Sequence, residues 1–198
     1  MSSAEAEETV RSLMAQGDLR AAADVTLRSY GPEIFGFLEG VMDDPDAAGD
    51  VFSAFSERVW KGILGFRWQC SLRTWSYTIA RNELARYRSE GARNRGVIGL
   101  STAGSLKAPS RERTPLHQRS SLLDAFARLR SGLAPDDRDL LVLRVDRGLA
   151  WNELALLFLG SDASADDLAR EAARLRKRFQ IVKKQLTRAA SASGLLPT

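Results

Sequence analysis

The sequence is poor in the residues that build metal and disulfide sites. Its 198 residues include a single cysteine, Cys70, and a single histidine, His117. One cysteine excludes an internal disulfide and a cysteine zinc cluster. One histidine excludes a histidine-based metal site and argues against a catalytic triad. We therefore expect no metal, no cofactor and no enzymatic activity.

Long apolar runs are also missing. No stretch approaches the ~18 consecutive apolar residues that a membrane helix needs, and residues 1–9 are acidic and lack the apolar core of a signal peptide. Hydrophobic residues make up 44% and charged residues 27% of the chain, as is ordinary for a protein that buries a core. These features predict a cytoplasmic protein without membrane insertion.

The net charge alternates along the chain. Residues 1–57 carry −9, residues 58–119 carry +10, residues 120–168 carry −4 and residues 169–198 carry +7, for a total of +4. A chain that needs charge only for solubility mixes its signs. Two separate basic blocks indicate two contacts with a polyanion, for which nucleic acid is the leading candidate. Two solvated basic faces are the alternative.

Hydrophobic periodicity predicts helices throughout, and no alternating strand pattern appears. An apolar stripe with the 3.6-residue period of a helix runs from residue 34 to residue 42. Polar residues that precede apolar stretches are expected to cap the helices that follow: Asp46, Ser71 and Ser164. The expected fold class is therefore all-α.

Glycine, proline and serine interrupt the helical pattern over residues 90–119, which predicts a flexible basic linker. The linker divides the chain into two small helical domains. The first covers residues 1–89, with its core at 30–88. The second covers residues 120–190 and is followed by a tail at 191–198.

Residues 66–88 mix aromatic and basic side chains. Aromatic rings stack on unpaired bases, at about 1–3 kcal/mol per base, while arginines hold phosphates. The combination favours single-stranded or melted DNA over a closed duplex. The alternative is that Trp75 and Tyr77 belong to the core and the arginines are solvated.

The last helix carries the sharpest pattern. Apolar residues three or four positions apart predict a buried seam: Leu168, Ala172, Leu175, Phe179, Val182 and Leu186. Basic residues lie near the opposite side: Arg170, Arg174, Lys177, Lys184 and Arg188. With two short helices and a glycine turn before it, this helix predicts a helix-turn-helix. An ordinary surface helix and a membrane-binding helix are the alternatives.

Motifs in both halves resemble the sigma-70 family, and within it the small extracytoplasmic-function (ECF) sigma factors. Those that resemble region two are Tyr30-Gly31, Asp46–Phe52, Val59–Lys61, Ser71–Trp75 and Ile79–Asn82. Those that resemble the start of region four are Leu133–Pro135, Arg138, Leu141–Arg144 and Gly148–Ala155. The resemblance spans residues 30–88 and 122–188, and the order and spacing of the motifs are more specific than any one of them.

The resemblance implies a factor that binds core RNA polymerase and directs −10 and −35 promoter recognition and DNA melting for transcription initiation. Residues implied to dock on the β′ clamp helices are Asp46, Asp50, Val51, Phe52 and Phe55. Residues implied to recognise and melt the −10 element, with a flipped base held near residues 66–71, are Phe66, Arg67, Trp68, Arg73, Tyr77, Arg81, Asn82, Arg86 and Arg88. Region four is implied to contact the polymerase β flap and the −35 element, the latter through Arg174, Arg176, Lys177, Arg178, Lys183 and Lys184. An anti-sigma factor is a further candidate partner.

Several residues depart from the family's usual pattern. Gly49 stands where glutamate is usual, Ser53 where glutamine is usual and Arg86 where aspartate is usual. These departures predict altered polymerase docking and an unusual −10 preference. An extra acidic segment, residues 161–171, precedes the basic part of the last helix and would repel phosphates.

Three other interpretations stay open at this stage. A free-standing helix-turn-helix regulator would bind duplex DNA without polymerase, but it leaves residues 66–88 unexplained and usually predicts a dimer on a palindromic site. An enzyme with a metal on Asp43, Asp44 and Asp46 has no histidine partner and no second acidic cluster. A sigma-like protein that has lost its activity would fit the departures at Gly49, Ser53 and Arg86.

Overall fold

The computed structural model describes residues 2–98, 127–160 and 163–195, and every regular element in these ranges is helical. The N-terminal half, residues 2–98, contains α1 (Ser3–Ala15), α2 (Leu19–Val41), α3 (Pro45–Gly62), a 3₁₀ turn (Ile63–Gly65) and α4 (Leu72–Ile98). The C-terminal half, residues 127–195, opens with a helical segment at 127–131. It continues with α5 (Pro135–Leu141), a π-helical turn (Val142–Asp146), α6 (Trp151–Leu159) and α7 (Ala165–Ala192). The predicted all-α class is confirmed.

Helix α1 was not predicted from the periodicity. Ser2 and Glu5 cap each other's backbone amides in a capping box at its start. Ala6 and Val10 are buried where α1 packs on α2. The Ser-x-x-Glu spacing followed by apolar residues at i and i+4 was the signal that the sequence offered.

Helix α3 begins earlier than predicted. Asp44, rather than Asp46, is the N-cap, and its carboxylate accepts a hydrogen bond from the backbone N–H of Asp46 at 3.0 Å. Pro45 occupies the first helical position, where its missing N–H costs nothing and its φ is already helical. Asp46 is therefore a first-turn residue whose side chain is left free of the capping role.

Helix α4 starts as predicted but ends later. The Ser71 hydroxyl accepts a hydrogen bond from the Thr74 N–H at 3.0 Å. The helix then continues to Ile98, so residues 90–98 of the predicted linker are helical. An i,i+4 ion pair, Arg86–Glu90 at 3.2 Å, supports this extension. The rest of the predicted linker, residues 99–119, lies outside the described residues, as do 120–126 and 196–198.

The C-terminal half has the predicted helix-turn-helix elements. Gly148 follows the π-helical turn, and Gly160 ends α6. Their φ values of 69° and 93° lie in a backbone region that favours glycine. The Ser164 hydroxyl caps α7 by accepting from the Asp167 N–H at 3.2 Å, as predicted. The predicted seam of α7 faces inward, with Leu175 fully buried.

The two halves pack on each other and share one cluster of buried apolar side chains. The contact lies along α2 and α4, and on α2 glycine allows a close approach. A Cβ at Gly40 would lie 3.3 Å from Val142 Cγ1, and a Cβ at Gly36 would lie 2.8 Å from Arg147 Nη2. The absence of a side chain at both positions brings the C-terminal half against the N-terminal bundle.

Candidate polymerase and nucleic-acid interfaces

Some of the predicted polymerase-docking residues are exposed at the surface, and others are buried in the core. Asp46 and Asp50 are exposed on the outer face of α3. Phe52 is half-buried, with its ring edge-on to Phe35 at a centroid distance of 5.3 Å. Val51 and Phe55 are 2% and 0% exposed. In this conformation a partner reaches the two carboxylates, while Val51 and Phe55 hold α3 to the bundle.

A polar groove of about 390 Å³ lies beside this acidic face, between α3 and α4. Asp50 is one of its lining residues, together with a network of charged side chains. Arg58 and Arg86 both pair with Glu83, at 2.9 and 3.3 Å. Arg86 is thus exposed but already engaged by carboxylates of its own helix.

Three aromatic rings pack together where the loop after the 3₁₀ turn meets α4. Phe66 is 6% exposed, and its ring centroid lies 4.7 Å from that of Trp68 and 4.9 Å from that of Trp75. Trp68 has φ of 59°, a strained value for a residue with a bulky side chain. Arg67 beside it is exposed. The loop therefore holds a half-buried tryptophan beside an exposed arginine, next to the buried Phe66 ring.

Helix α1 holds this loop in place, a role that the sequence reasoning missed. The Glu7 carboxylate accepts a hydrogen bond from the Leu72 N–H at 2.9 Å, at the start of α4. The Arg11 guanidinium lies 4.1 Å above the Trp68 ring. One helical face of α1 thus contacts both the middle of the loop and its C-terminal end, because positions 7 and 11 are one turn apart.

One face of α4 carries three of the predicted −10 arginines, Arg73, Arg81 and Arg88, which we call the α4 arginine face. Their side chains are only 25%, 17% and 29% exposed. Arg73 also pairs with Glu33 of α2 at 2.9 Å. Burial lowers the pKa of the Arg81 guanidinium, an effect that Asp139 and Asp136 oppose. This face points at the C-terminal half, away from solvent.

Two further predicted −10 residues differ in exposure. Tyr77 is fully buried beneath α4, and its hydroxyl has no hydrogen-bond partner among the described residues. Burial raises the pKa of this phenol. Asn82 is exposed on the other side of the helix. The aromatic and basic cluster is therefore spread over a loop, a buried core position and two faces of α4.

The predicted −35 residues lie on α7. Five of them are exposed: Arg174, Arg176, Lys177, Lys183 and Lys184. Arg178 is only 29% exposed, and its Nε donates to Asp137 of α5 at 2.5 Å. Asp136 lies 3.8 Å from the same guanidinium. Arg178 therefore forms an ion pair that links α7 to α5.

Residues 2–98, 127–160 and 163–195 offer few other groups for binding or catalysis. No helix in these ranges is both long and apolar enough to cross a membrane, and no three metal-ligating side chains converge. Cys70 is half-buried, and burial raises the pKa of its thiol. The surfaces that remain exposed are an acidic one on α3 and basic ones on the loop and α7.

The N-terminal half matches a known protein family. Residues 26–94, from α2 into α4, match the family model described as sigma-70 region 2. This part of the chain is therefore similar to region 2 of the sigma-70 family. A search of curated proteins finds no match. Among solved structures, the fold is similar to that of the sigma factor RpoE from Bartonella quintana, determined with the anti-sigma factor NepR. The two chains are 20% identical, the likeness covers 80% of this chain and 94% of that one, and the TM-score is 0.51.

The residues that match the sigma-70 region 2 model include all three departures from the family pattern. A Cβ at Gly49 meets nothing within 4 Å, so a larger side chain fits there. The Ser53 hydroxyl donates back to the Gly49 carbonyl at 2.9 Å and is exposed. The region 2 match ends at residue 94, so the assignment of the C-terminal half to region four stays a prediction.

Proposed function

We propose that this protein is a sigma factor of the sigma-70 family, of the ECF type. It binds core RNA polymerase and directs −10 and −35 recognition and DNA melting at promoters. The observation that carries the proposal is the region 2 match over a bundle with two separate surfaces. One is the acidic face of α3, and the other is the aromatic loop with its basic neighbours. A regulator that bound only duplex DNA would have no use for both.

Each surface has a role in this proposal. Asp46 and Asp50 dock on the β′ clamp helices. Arg67 and Trp68 meet the melted −10 strand, since an aromatic ring beside a cation suits unpaired bases and their phosphates. The exposed cations of α7 contact the −35 duplex, and the C-terminal half contacts the β flap. The protein performs no chemistry of its own, acts in the cytoplasm with the polymerase, and has an anti-sigma factor as a candidate regulator.

The docking role is tested by charge reversal. The protein is mixed with sigma-free bacterial core RNA polymerase, and complex formation is measured by size exclusion. We expect one copy to co-elute per polymerase. The Asp46→Arg/Asp50→Arg variant should lose this complex and keep its affinity for isolated DNA.

The matched control makes the same charge change elsewhere. Glu8→Arg/Asp24→Arg alters α1 and α2, away from the acidic face of α3, and should co-elute like the parent protein. Equal loss in both variants would show that only the total charge matters. Unchanged binding of the α3 variant would show that the docking assignment is wrong.

A further inference from the structure

Ile181 is an apolar residue on the cationic side of α7. Its side chain is 51% exposed, and it is the sole exposed large apolar side chain on this helix, which the structure describes from end to end. The buried seam of α7 lies elsewhere on the circumference, at Leu175 and Val182 among others. Core packing therefore does not explain an isoleucine here. Helix formation does not explain it either, because lysine and arginine have the higher helix propensity.

The neighbours of Ile181 along this side of the helix are cations. Lys177 lies one turn before it and Lys184 one turn after it, and both are exposed. Arg174 and Arg188 continue the row two turns away in each direction and are exposed too. At 3.6 residues per turn, these five side chains leave the helix within about 80° of one another. They form a straight cationic row with one apolar residue at its centre, which we call the α7 row.

The spacing of the row matches the major groove of DNA. Lys177 and Lys184 are seven residues apart, or about 10.5 Å along the helix axis at 1.5 Å per residue. The major groove is about 12 Å wide and admits an α-helix. With α7 in the groove, the long lysine side chains reach outward to phosphates on either side. The shorter side chain of Ile181 then lies between them, over the edges of the bases.

The two preceding helices fix the direction in which the α7 row points. Arg178 is held by Asp137 of α5, through an ion pair at 2.5 Å. The Phe179 ring packs edge-on against that of Trp151 of α6, at a centroid distance of 5.6 Å. Because α5 and α6 grip α7 through neighbouring residues, the helix cannot turn about its axis without breaking these contacts. Ile181 is thus presented to a ligand from a rigid element.

The chemistry of isoleucine selects one feature of the base edges. Its side chain neither donates nor accepts hydrogen bonds, so the polar groups in the groove offer it no partner. The C5-methyl group of thymine is the apolar group that a base pair presents in the major groove. Contact between the two removes apolar surface from water. Single exposed apolar residues are common on proteins, and it is the place of Ile181 between two lysines that can reach phosphates that points to thymine.

We propose that Ile181 is a specificity-determining residue that contacts the C5-methyl group of one thymine in the −35 element. Lys177 and Lys184 position the helix on the phosphates, and Ile181 distinguishes a T·A pair at that place from the other pairs. The inference rests on the proposed function, because it takes the −35 duplex as the ligand of α7. It adds the base that one residue recognises.

Removal of a methyl group from the DNA tests the contact. Duplexes that bind the full chain are selected from a random pool, and each thymine of the recovered site is replaced in turn by deoxyuridine, which lacks only the C5-methyl group. We expect one replacement to lower the affinity of the parent protein about fourfold, as for the loss of one buried methyl group. Equal affinity for thymine and deoxyuridine at every position would overturn the proposal, as would a pool in which no sequence is enriched.

Substitutions assign the effect to this side chain. Ile181→Ala should bind the thymine and deoxyuridine duplexes equally, because its side chain no longer reaches the methyl group. Ile181→Val keeps a branched apolar side chain and should retain the preference. Val145→Ala is the matched control, since Val145 is 55% exposed and lies on the π-helical turn outside α7. It should behave like the parent protein. A preference that persists in Ile181→Ala, or that both alanine variants lose, would overturn the assignment.

Salt dependence and polymerase binding separate this contact from the proposals around it. An apolar contact releases no counterions, so Ile181→Ala should leave the slope of log K against log salt unchanged. A lower slope would show that the substitution displaces the lysines and would overturn the specificity role. Failure of the parent protein to bind core polymerase, with its thymine preference intact, would count against the proposed function alone. Loss of the polymerase complex in Ile181→Ala, without a thymine preference in the parent, would instead assign Ile181 to a protein contact and overturn the proposal.

Discussion

Two lysines on α7 should account for a measurable share of the salt dependence of duplex DNA binding. Lys177 and Lys184 are exposed and two helical turns apart, so they can reach phosphates about 10 Å apart along the helix axis. Each phosphate contact contributes about 0.9 to the slope of log K against log salt. The Lys177→Gln/Lys184→Gln variant should therefore lower that slope by about 1.8. Between 0.05 and 0.2 M NaCl, the parent protein should then lose about 12 times more affinity than the variant.

The neighbouring Arg178 provides the contrast. Its guanidinium is held by Asp137 at 2.5 Å, so Arg178→Gln should leave the salt slope unchanged. It should instead lower the free energy of unfolding, by about 1–3 kcal/mol for a partly buried charged hydrogen bond. Fluorescence anisotropy with a labelled duplex gives the slopes, and urea denaturation gives the stability. An unchanged slope in the lysine variant, or a lower slope in Arg178→Gln, would refute the division of α7 into a DNA face and a packing face.

Other substitutions test the loop and the α3 surface. Phe66→Ala should lower the free energy of unfolding by about 3–5 kcal/mol in urea, because the ring is buried. Trp68→Ala should instead slow promoter opening, measured with permanganate, more than it weakens closed-complex binding; equal loss in both would point to misfolding. Arg11→Ala removes a cation–π contact of about 0.5–2 kcal/mol and should speed amide hydrogen exchange at residues 66–71; unchanged exchange would reject this support. Gly49→Glu should stabilise the protein by up to about 1 kcal/mol in urea and tighten polymerase binding in titrations; lower stability would show that its surroundings are not open.

Local sequence signals predicted most of the individual helices. The stripe at residues 34–42 and the α7 seam were visible because one buried helix face imposes a 3.6-residue period on the sequence. Ser71 and Ser164 were predicted as caps because their hydroxyls meet a backbone amide three residues away. The start of α3 was misplaced by two residues because either Asp44 or Asp46 has the right side chain, and Pro45 decides between them.

Contacts between distant residues could not be predicted in this way. Arg88 and Asp139 are 51 residues apart, and nothing in the charge pattern says which of many acids will meet which base. The alternating blocks suggested acidic surfaces for the polymerase and basic surfaces for DNA. The structure joins some of these charges within the chain: Glu33 with Arg73, Asp43 with Arg138, and Asp139 with Arg88.

Exposure was the other property that sequence alone did not give. Residues 51 and 55 were assigned to docking with Asp46 and Asp50 because they share the motif, yet their side chains face the core. No local signal marks Glu7 and Arg11, since their contacts with Leu72 and Trp68 depend on how α1 folds back. In both cases the outcome depends on which face of a helix packs against the rest of the protein. That is a property of the tertiary structure.

The central claim is that the protein gives RNA polymerase its promoter specificity. The most direct measurement is transcription of fragmented genomic DNA from the source organism by core polymerase, with and without the protein, followed by sequencing of the RNA 5′ ends. We predict new start sites that share two upstream motifs near −10 and −35, and their loss with Asp46→Arg/Asp50→Arg. The same start sites with and without the protein, despite a stable complex with polymerase, would contradict the claim.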